Sequence, residues 1–274
     1  MSAQPVAVQP IPRGALSQRV GRRALDWLPA AVVLVLVLVI WETTIAVFDI
    51  KRFLAPPPTA IAGNFWDNRG ELLHGGWFTF QEAFGGWLIG CGLGILVAIV
   101  LARWRRLGRA LQPYAIAASA IPIIAFAPIT NAWFGPFGKT SKMAIAAVLC
   151  FFPVFVNTIR GLTSVRPSSI ELMRSYAAGE IDIFRRVRFP TALPFIFTAL
   201  KIATVLAMIG AIVGEYFGGA PEALGVLINS RNATFDFEEA WAGIGVACAF
   251  GIAFYLAVAA LERLALRGAP STEE

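Results

Sequence analysis

The sequence predicts an all-α polytopic protein that crosses a membrane about six times. Three observations carry this. Hydrophobic residues make up 57% of the chain and charged ones only 15%. The apolar residues gather into runs long enough to span a bilayer, and the lysines and arginines crowd into alternate gaps between those runs. A soluble domain carries roughly a quarter charged residues, whereas a bilayer's hydrocarbon core takes about 20 consecutive apolar residues as a helix. The net charge of +6 does not mark a nucleic-acid binder, because the basic residues sit in short clusters where membrane topology accounts for them.

Residues 1–26 read as a polar, Pro-rich tail closing on Arg19, Arg22 and Arg23. Residues 27–263 then form the transmembrane domain, and 264–274 a short tail. The first span, Leu28 to Phe48, is too long for the apolar core of a secretory signal and lacks the small-residue cleavage site, so it is an uncleaved helix. Residues 49–76 leave the membrane: Pro56-Pro57-Pro58 forbids a regular helix, and a short surface helix fits from Thr59. The second span, Trp77 to Ala102, carries Gly86, Gly90 and Gly94 at GxxxG spacing, which lets helix backbones approach in lipid. That stripe suits packing within one subunit or a seam between two. The third span, Ala110 to Trp133, is interrupted by Pro113, Pro122 and Pro128, giving either a kink beside a path or a packing bend. A polar turn over 134–142 leads to the fourth span, Met143 to Ile159. The fifth, Phe195 to Phe217, follows a long basic stretch (160–194), and the sixth is Trp241 to Leu261.

With a cytoplasmic N-terminus, the inner segments hold 16 lysines and arginines and the outer ones 6. That asymmetry puts both termini in the cytoplasm. It also places 160–194 there. Ser168-Ser169-Ile170-Glu171 matches a capping box at a helix start. Ile170, Met173 and Ala177 then form one apolar stripe, and Gly179 is a helix stop. A second short helix carries Ile181, Phe184 and Val187 on one face, with Pro190 and Pro194 ending it before the fifth span. The exposed stripe calls for a partner protein or for the membrane surface.

No catalytic or metal-binding pattern emerges. Cys91, Cys150 and Cys248 lie in apolar runs with no ligand spacing and read as small buried hydrophobes. His74, the single histidine, has no partners for a triad or a metal. Gly138-Lys139-Thr140 resembles the end of a phosphate loop, but the glycine required five residues earlier is Trp133. Ionisable groups inside spans are costly and invite functional hypotheses: Glu82, Lys201 and Glu215 qualify. Lys201 is expected to snorkel to the cytoplasmic face. Glu215 could line an outer gate, pair with a basic group of a partner subunit, or simply reach the interface. Thr130, Asn131 and Asn157 are the polar groups expected to face a translocation path.

The loop resembles the signature cytoplasmic loop of ABC importer permeases, whose pattern is Glu-Ala-Ala, three residues, Gly, nine residues, Ile, one residue, Leu-Pro. Glu171 matches the Glu, Val187 stands for the Ile and Pro190 matches the Pro, while Leu172, Met173, Ala177 and Phe189 depart. The segments IPIIAFAPITNAWFG (121–135), FFPVFVNTIRGL (151–162), RVRFPTALPFIFTALKIA (186–203) and GAIVGEYFGG (210–219) resemble the nitrate, sulfonate, taurine and vitamin-precursor group of these permeases. The resemblance implies that Glu171, Met173, Ala177, Val187 and Pro190 belong to a coupling element docking on a separate cytoplasmic ATPase. It further implies a second permease copy, an external substrate-binding protein, residence in a bacterial inner membrane, and no cofactor in this chain, ATP being bound by the partner. SYAAGE and the stretch around 199–219 look closer to permeases for riboflavin or thiamine pyrimidine precursors than to those for sulfonate, taurine or nitrate. A stand-alone secondary transporter or channel would instead need coupling acids at mid-membrane and inverted repeats.

Overall fold

The computed structural model describes residues 15–52, 54–102, 110, 113–114, 116–118 and 122–266, and among them there is no strand. The chain divides into two compact units, Met1–Ala60 and Ile61–Glu274. The first contains α1 (Ala15–Val47). Its helix starts well before the expected tail boundary, and from Leu28 onward its apolar side chains are largely exposed, as lipid-facing ones are. Near its end the Glu42 carboxylate accepts the Thr59 amide at 3.1 Å and the Thr59 hydroxyl at 2.7 Å. This supplies acceptors to the first turn of α2 (Pro58–Asp67), the expected short helix after the prolines.

The second unit is built on α3 (Arg69–Ala102), α4 (Ile123–Phe134), α5 (Lys139–Thr163), α6 (Pro167–Ser175), α7 (Glu180–Ile183), α8 (Phe189–Tyr216), α9 (Leu224–Ala233) and α10 (Phe237–Leu266). Among the described residues, five helices are long and apolar enough to cross a membrane, and α4 is a shorter apolar one. The remainder of the expected third span lies partly outside the described residues, as do the Arg103–Arg109 cluster and residues 267–274.

α5 lies between α3 and α8, and small residues hold it there. A Cβ on Gly90 would collide with the Ala147 backbone, and one on Gly94 would fall 2.9 Å from the Phe151 carbonyl oxygen. From the other side, a Cβ on Gly210 of α8 would lie 2.9 Å from the Ala146 Cα. The shared core is correspondingly small, with Ala83, Ala146, Cys150, Ala203 and Ala207 in one cluster. The GxxxG stripe of α3 is therefore consumed by packing within the chain.

Three boundaries differ from expectation. α5 begins at Lys139, four residues before the expected span, so Lys142 belongs to the helix and not to a polar turn. The 218–240 segment contains α9, whose mixed polarity hides it in the sequence. Pro190 and Pro194 do not break the chain: α7 runs through a π turn (Phe184–Arg188) into α8. A proline lacks the N–H and crowds the carbonyl four residues back. The wider π turn just before Pro190 accommodates both, with the Phe189 amide donating to the Phe184 carbonyl.

Lys201 Nζ donates to Glu262 Oε2 at 2.6 Å, tying α8 to α10. One more sequence reading changes. Cys248 is exposed, while Cys91 and Cys150 are buried. The α3–α5 approach yields a direct check. Gly90→Ala should destabilise the detergent-solubilised protein by about 1–3 kcal/mol through overpacking. Gly92→Ala, where a Cβ meets open space, should leave the melting midpoint unchanged or raise it.

Candidate functional site

Two polar features sit at opposite ends of the second unit, with an apolar cleft between them. The first lies at the end remote from the 160–194 loop. Here α9 starts at Leu224 after Ala223, which has no side chain able to cap it. The first amides of a helix need acceptors, and its N-terminus favours negative charge. Both are supplied from elsewhere. Glu215, at the end of α8, accepts the Gly225 amide at 2.7 Å on Oε2 and the Thr79 hydroxyl at 2.7 Å on Oε1. Thr79 of α3 in turn accepts the Leu224 amide at 3.0 Å. Gly225 is required by this approach, since a Cβ there would lie 2.5 Å from Glu215 Oε2.

Glu215 is 1% exposed, Glu82 1% and Lys142 0%. Buried charges persist only where partners surround them. Lys142 Nζ donates to Asn131 Oδ1 at 3.4 Å and to the Pro136 carbonyl, and Asn131 Nδ2 donates to the Phe217 carbonyl at 3.1 Å. The Glu82 carboxyl faces that of Glu215, with Lys142 and Lys139 as its cationic neighbours, and its Oε2 has no hydrogen-bond partner among the described residues. The knot thus joins α3, α4, α5, α8 and α9. Asn131 and Glu215, expected along a path, are enclosed in it by protein. Thr130 is also buried and donates to carbonyls of its own helix. Thr79 and the burial of Lys142 were missed in the sequence. The available signal was spacing: Thr79, Glu82, Gly86 and Gly90 fall on one face of α3, and Lys142, Ile145 and Ala146 on one face of α5.

The second feature is the loop. α6 starts at Pro167 with Arg166 as N-cap and no side-chain cap bond, so the expected capping box at Ser168–Glu171 does not form. Proline at the first helical position replaces it, since the missing N–H would be unpaired there anyway. α6 ends in a Schellman motif: the Ala178 amide donates to the Met173 carbonyl at 3.1 Å and the Ala177 amide to the Arg174 carbonyl at 2.9 Å. Ala177 occupies the left-handed position with φ 55°. It is the helix stop, and Gly179 instead precedes α7 as its N-cap.

Of the expected exposed stripe, Ile170 and Met173 are turned inward and Ala177 is exposed. Ile170 is buried with Val165 and Ile183, and Met173, Ala178 and Val187 pack on them. Of the five predicted coupling residues, Met173 and Val187 therefore share this small core, while Glu171, Ala177 and Pro190 are exposed. The loop is braced by Glu180, which pairs with Arg174 at 3.0 Å and Arg188 at 3.5 Å. Its outward apolar groups are Leu172, Tyr176 and Ile181, exposed by 58%, 77% and 74%.

Between these ends, α3, α4, α5 and α8 line a half-open cleft of about 430 Å³ whose walls include Leu93, Phe126, Leu149, Phe151, Phe152, Pro153 and Leu206. Every described lining residue is apolar. Thr130, Asn131, Asn157 and Glu215 do not border it; Asn157 Nδ2 donates instead to the Pro153 carbonyl at 2.8 Å. Lys139, from the apparent phosphate-loop fragment, is committed to Gln81 and to the face of Phe78. Among the described residues there is no cluster of three or more metal-ligating side chains.

Residues 90–267 match a family described as "Binding-protein-dependent transport system inner membrane component". The chain is 32% identical over 264 residues to the riboflavin transport system permease protein RibX of Chloroflexus aurantiacus, covering 94% of this chain and 98% of that one. It is 33% identical to the formylaminopyrimidine transport permease protein ThiX of Halalkalibacterium halodurans over 89% of this chain and 97% of that one. It is 26% identical to the putative aliphatic sulfonates transport permease protein SsuC of Bacillus subtilis, over 94% of each. A crystal structure of an amino acid ABC transporter shares the fold, with a TM-score of 0.56 at 18% identity over 74% of this chain and 96% of that one.

The knot's dependence on Thr79 can be measured. Thr79→Val removes a donor from Glu215 and an acceptor from Leu224, and should cost about 1–3 kcal/mol in a detergent melting experiment. Thr79→Ser, which keeps the hydroxyl, should lie close to wild type.

Proposed function

This chain belongs to the family of binding-protein-dependent transport system inner membrane components, and on that premise we propose that it is the path-forming half of an ATP-driven importer for a vitamin or vitamin precursor. Its 160–194 loop engages a cytoplasmic ATPase, which binds and hydrolyses the ATP. Two copies pair in the inner membrane with both termini in the cytoplasm, and an external binding protein delivers the cargo. The observation carrying the coupling reading is the loop itself: a folded, ion-pair-braced unit outside the long helices that presents Leu172, Tyr176 and Ile181 outward. Exposed apolar groups on a rigid support are what a docking element requires. Ile170 and Met173 serve the loop's own core, so the ATPase-facing surface is the Leu172, Tyr176 and Ile181 side, with Glu171 and Ala177 beside it.

The vitamin reading is supported by the two relatives above 30% identity, whose names give riboflavin and formylaminopyrimidine as cargo. The sulfonate relative lies lower, at 26%. The absence of any charged group from the described cleft lining also favours a neutral cargo.

Two measurements test these claims. Ile181→Glu places a charge on the docking face without touching the loop's core, so the purified permease should retain at least tenfold less ATPase while keeping its melting midpoint. Full retention of the ATPase removes the coupling reading. A thermal-shift panel on the cognate binding protein, with riboflavin, thiamine pyrimidine precursors, taurine, alkanesulfonates and nitrate, should respond to a flavin or pyrimidine. A response confined to sulfonates or nitrate replaces the vitamin reading with the anion one.

A further inference from the structure

The apolar cleft has a chemical character that goes beyond the assignment of a path. It lies at the middle of α5, where Phe151 is the thirteenth of 25 helical residues. Its volume of about 430 Å³ falls within the ~300–1,000 Å³ of small-molecule sites. Three rings reach its wall: Phe126 from α4, and Phe151 and Phe152 from α5. Phe151 is fixed, stacked on Phe155 at 5.8 Å and 5° and meeting Phe152 edge-on at 5.1 Å and 84°. The rings are half-buried, so part of their surface faces the cleft.

No described lining side chain carries a polar atom, so among the described residues any hydrogen bond offered to a ligand comes from the main chain. Pro153 sits inside α5 and supplies no N–H to the carbonyl four residues back. That carbonyl belongs to Leu149, and Leu149 and Pro153 both line the cleft. Two nearby side-chain donors are spent elsewhere, Asn157 on the Pro153 carbonyl and Cys150 on the Ala203 carbonyl. The wall therefore combines aromatic surface with an acceptor lacking its helical donor. An anion would be stripped of water here with no cation among the described lining residues to meet it. A flat ring with an N–H group would stack and donate.

We propose that this cleft holds the cargo within the permease, as an uncharged planar heterocycle that stacks on Phe126 and Phe152 and donates an N–H to the Leu149 carbonyl. The proposal rests on the vitamin-importer reading and assigns it specificity residues in this chain.

Riboflavin serves as the probe, with taurine as the anionic counterpart. Equilibrium binding of radiolabelled riboflavin is measured on the permease–ATPase complex in nanodiscs without binding protein, and uptake is measured in proteoliposomes with it. Wild type should bind riboflavin saturably, with no competition from a hundredfold excess of taurine. Phe126→Leu and Phe152→Leu, which keep apolar bulk but lose the ring, should weaken binding at least tenfold and raise the uptake KM in parallel. Phe152→Tyr should restore wild-type binding. If the complex imports riboflavin but the leucine variants bind and transport it like wild type, this proposal fails and the vitamin reading stands. If the complex imports taurine and not riboflavin, both fail. If the leucine variants convert a two-copy complex to single copies at unchanged KM, the cleft is an interface between copies and the proposal is overturned.

Discussion

Everything else in this molecule depends on how closely α5 is held. In lipid the apolar surface of a helix gains nothing by leaving its surroundings, so helices associate through van der Waals contact and polar links. The glycines of α3 and α8 bring their helices within backbone distance of α5 on two sides. Once α5 is fixed, its three regions are fixed with it. Its first turn carries Lys142 into the charged knot, its middle presents the Phe151–Pro153 wall, and its end delivers the chain into the loop.

The knot shows how a membrane protein organises a helix start away from water. Ala223 cannot cap α9, so a carboxylate from α8 and a hydroxyl from α3 do so, and their own needs draw in further groups. Such a network is costly if half satisfied and rigid if complete. Its members come from five helices, so it sets their relative positions at that end as the glycines do along α5. Within the single chain the polar atoms of Glu215 and Asn131 are spent on protein.

Composition and period reveal the spans because both follow directly from the solvent. Leu28–Val47 and the apolar body of α10 are legible for that reason. The boundaries are less so, since Lys142 is polar yet belongs inside α5, and its burial depends on Asn131 and the Pro136 carbonyl, which no local pattern reveals. α9 is hidden because it is short and its start is capped by Glu215 and Thr79 from other helices, so only Leu224, Leu227 and Ile228 mark its buried face. In the loop, the spacing of Ile170 and Met173 is a correct sign of an apolar face, but spacing cannot say whether that face meets a partner or its own neighbours. Here it meets Ile183 and Val187. Pro190 looks like a stop because the sequence does not announce the π turn that accommodates it.

The uninterrupted helical run from Glu180 to Tyr216 spans 37 residues, or about 55 Å at 1.5 Å per residue. It begins in the loop and ends beside Glu215. Such a run is a lever that joins the loop to the carboxylate anchoring α9. The π turn at Phe184–Arg188 is the single described place along the rod where helical registry is already relaxed. It is the natural point for such a lever to flex, and it divides a short handle of α7 from a long stiff arm.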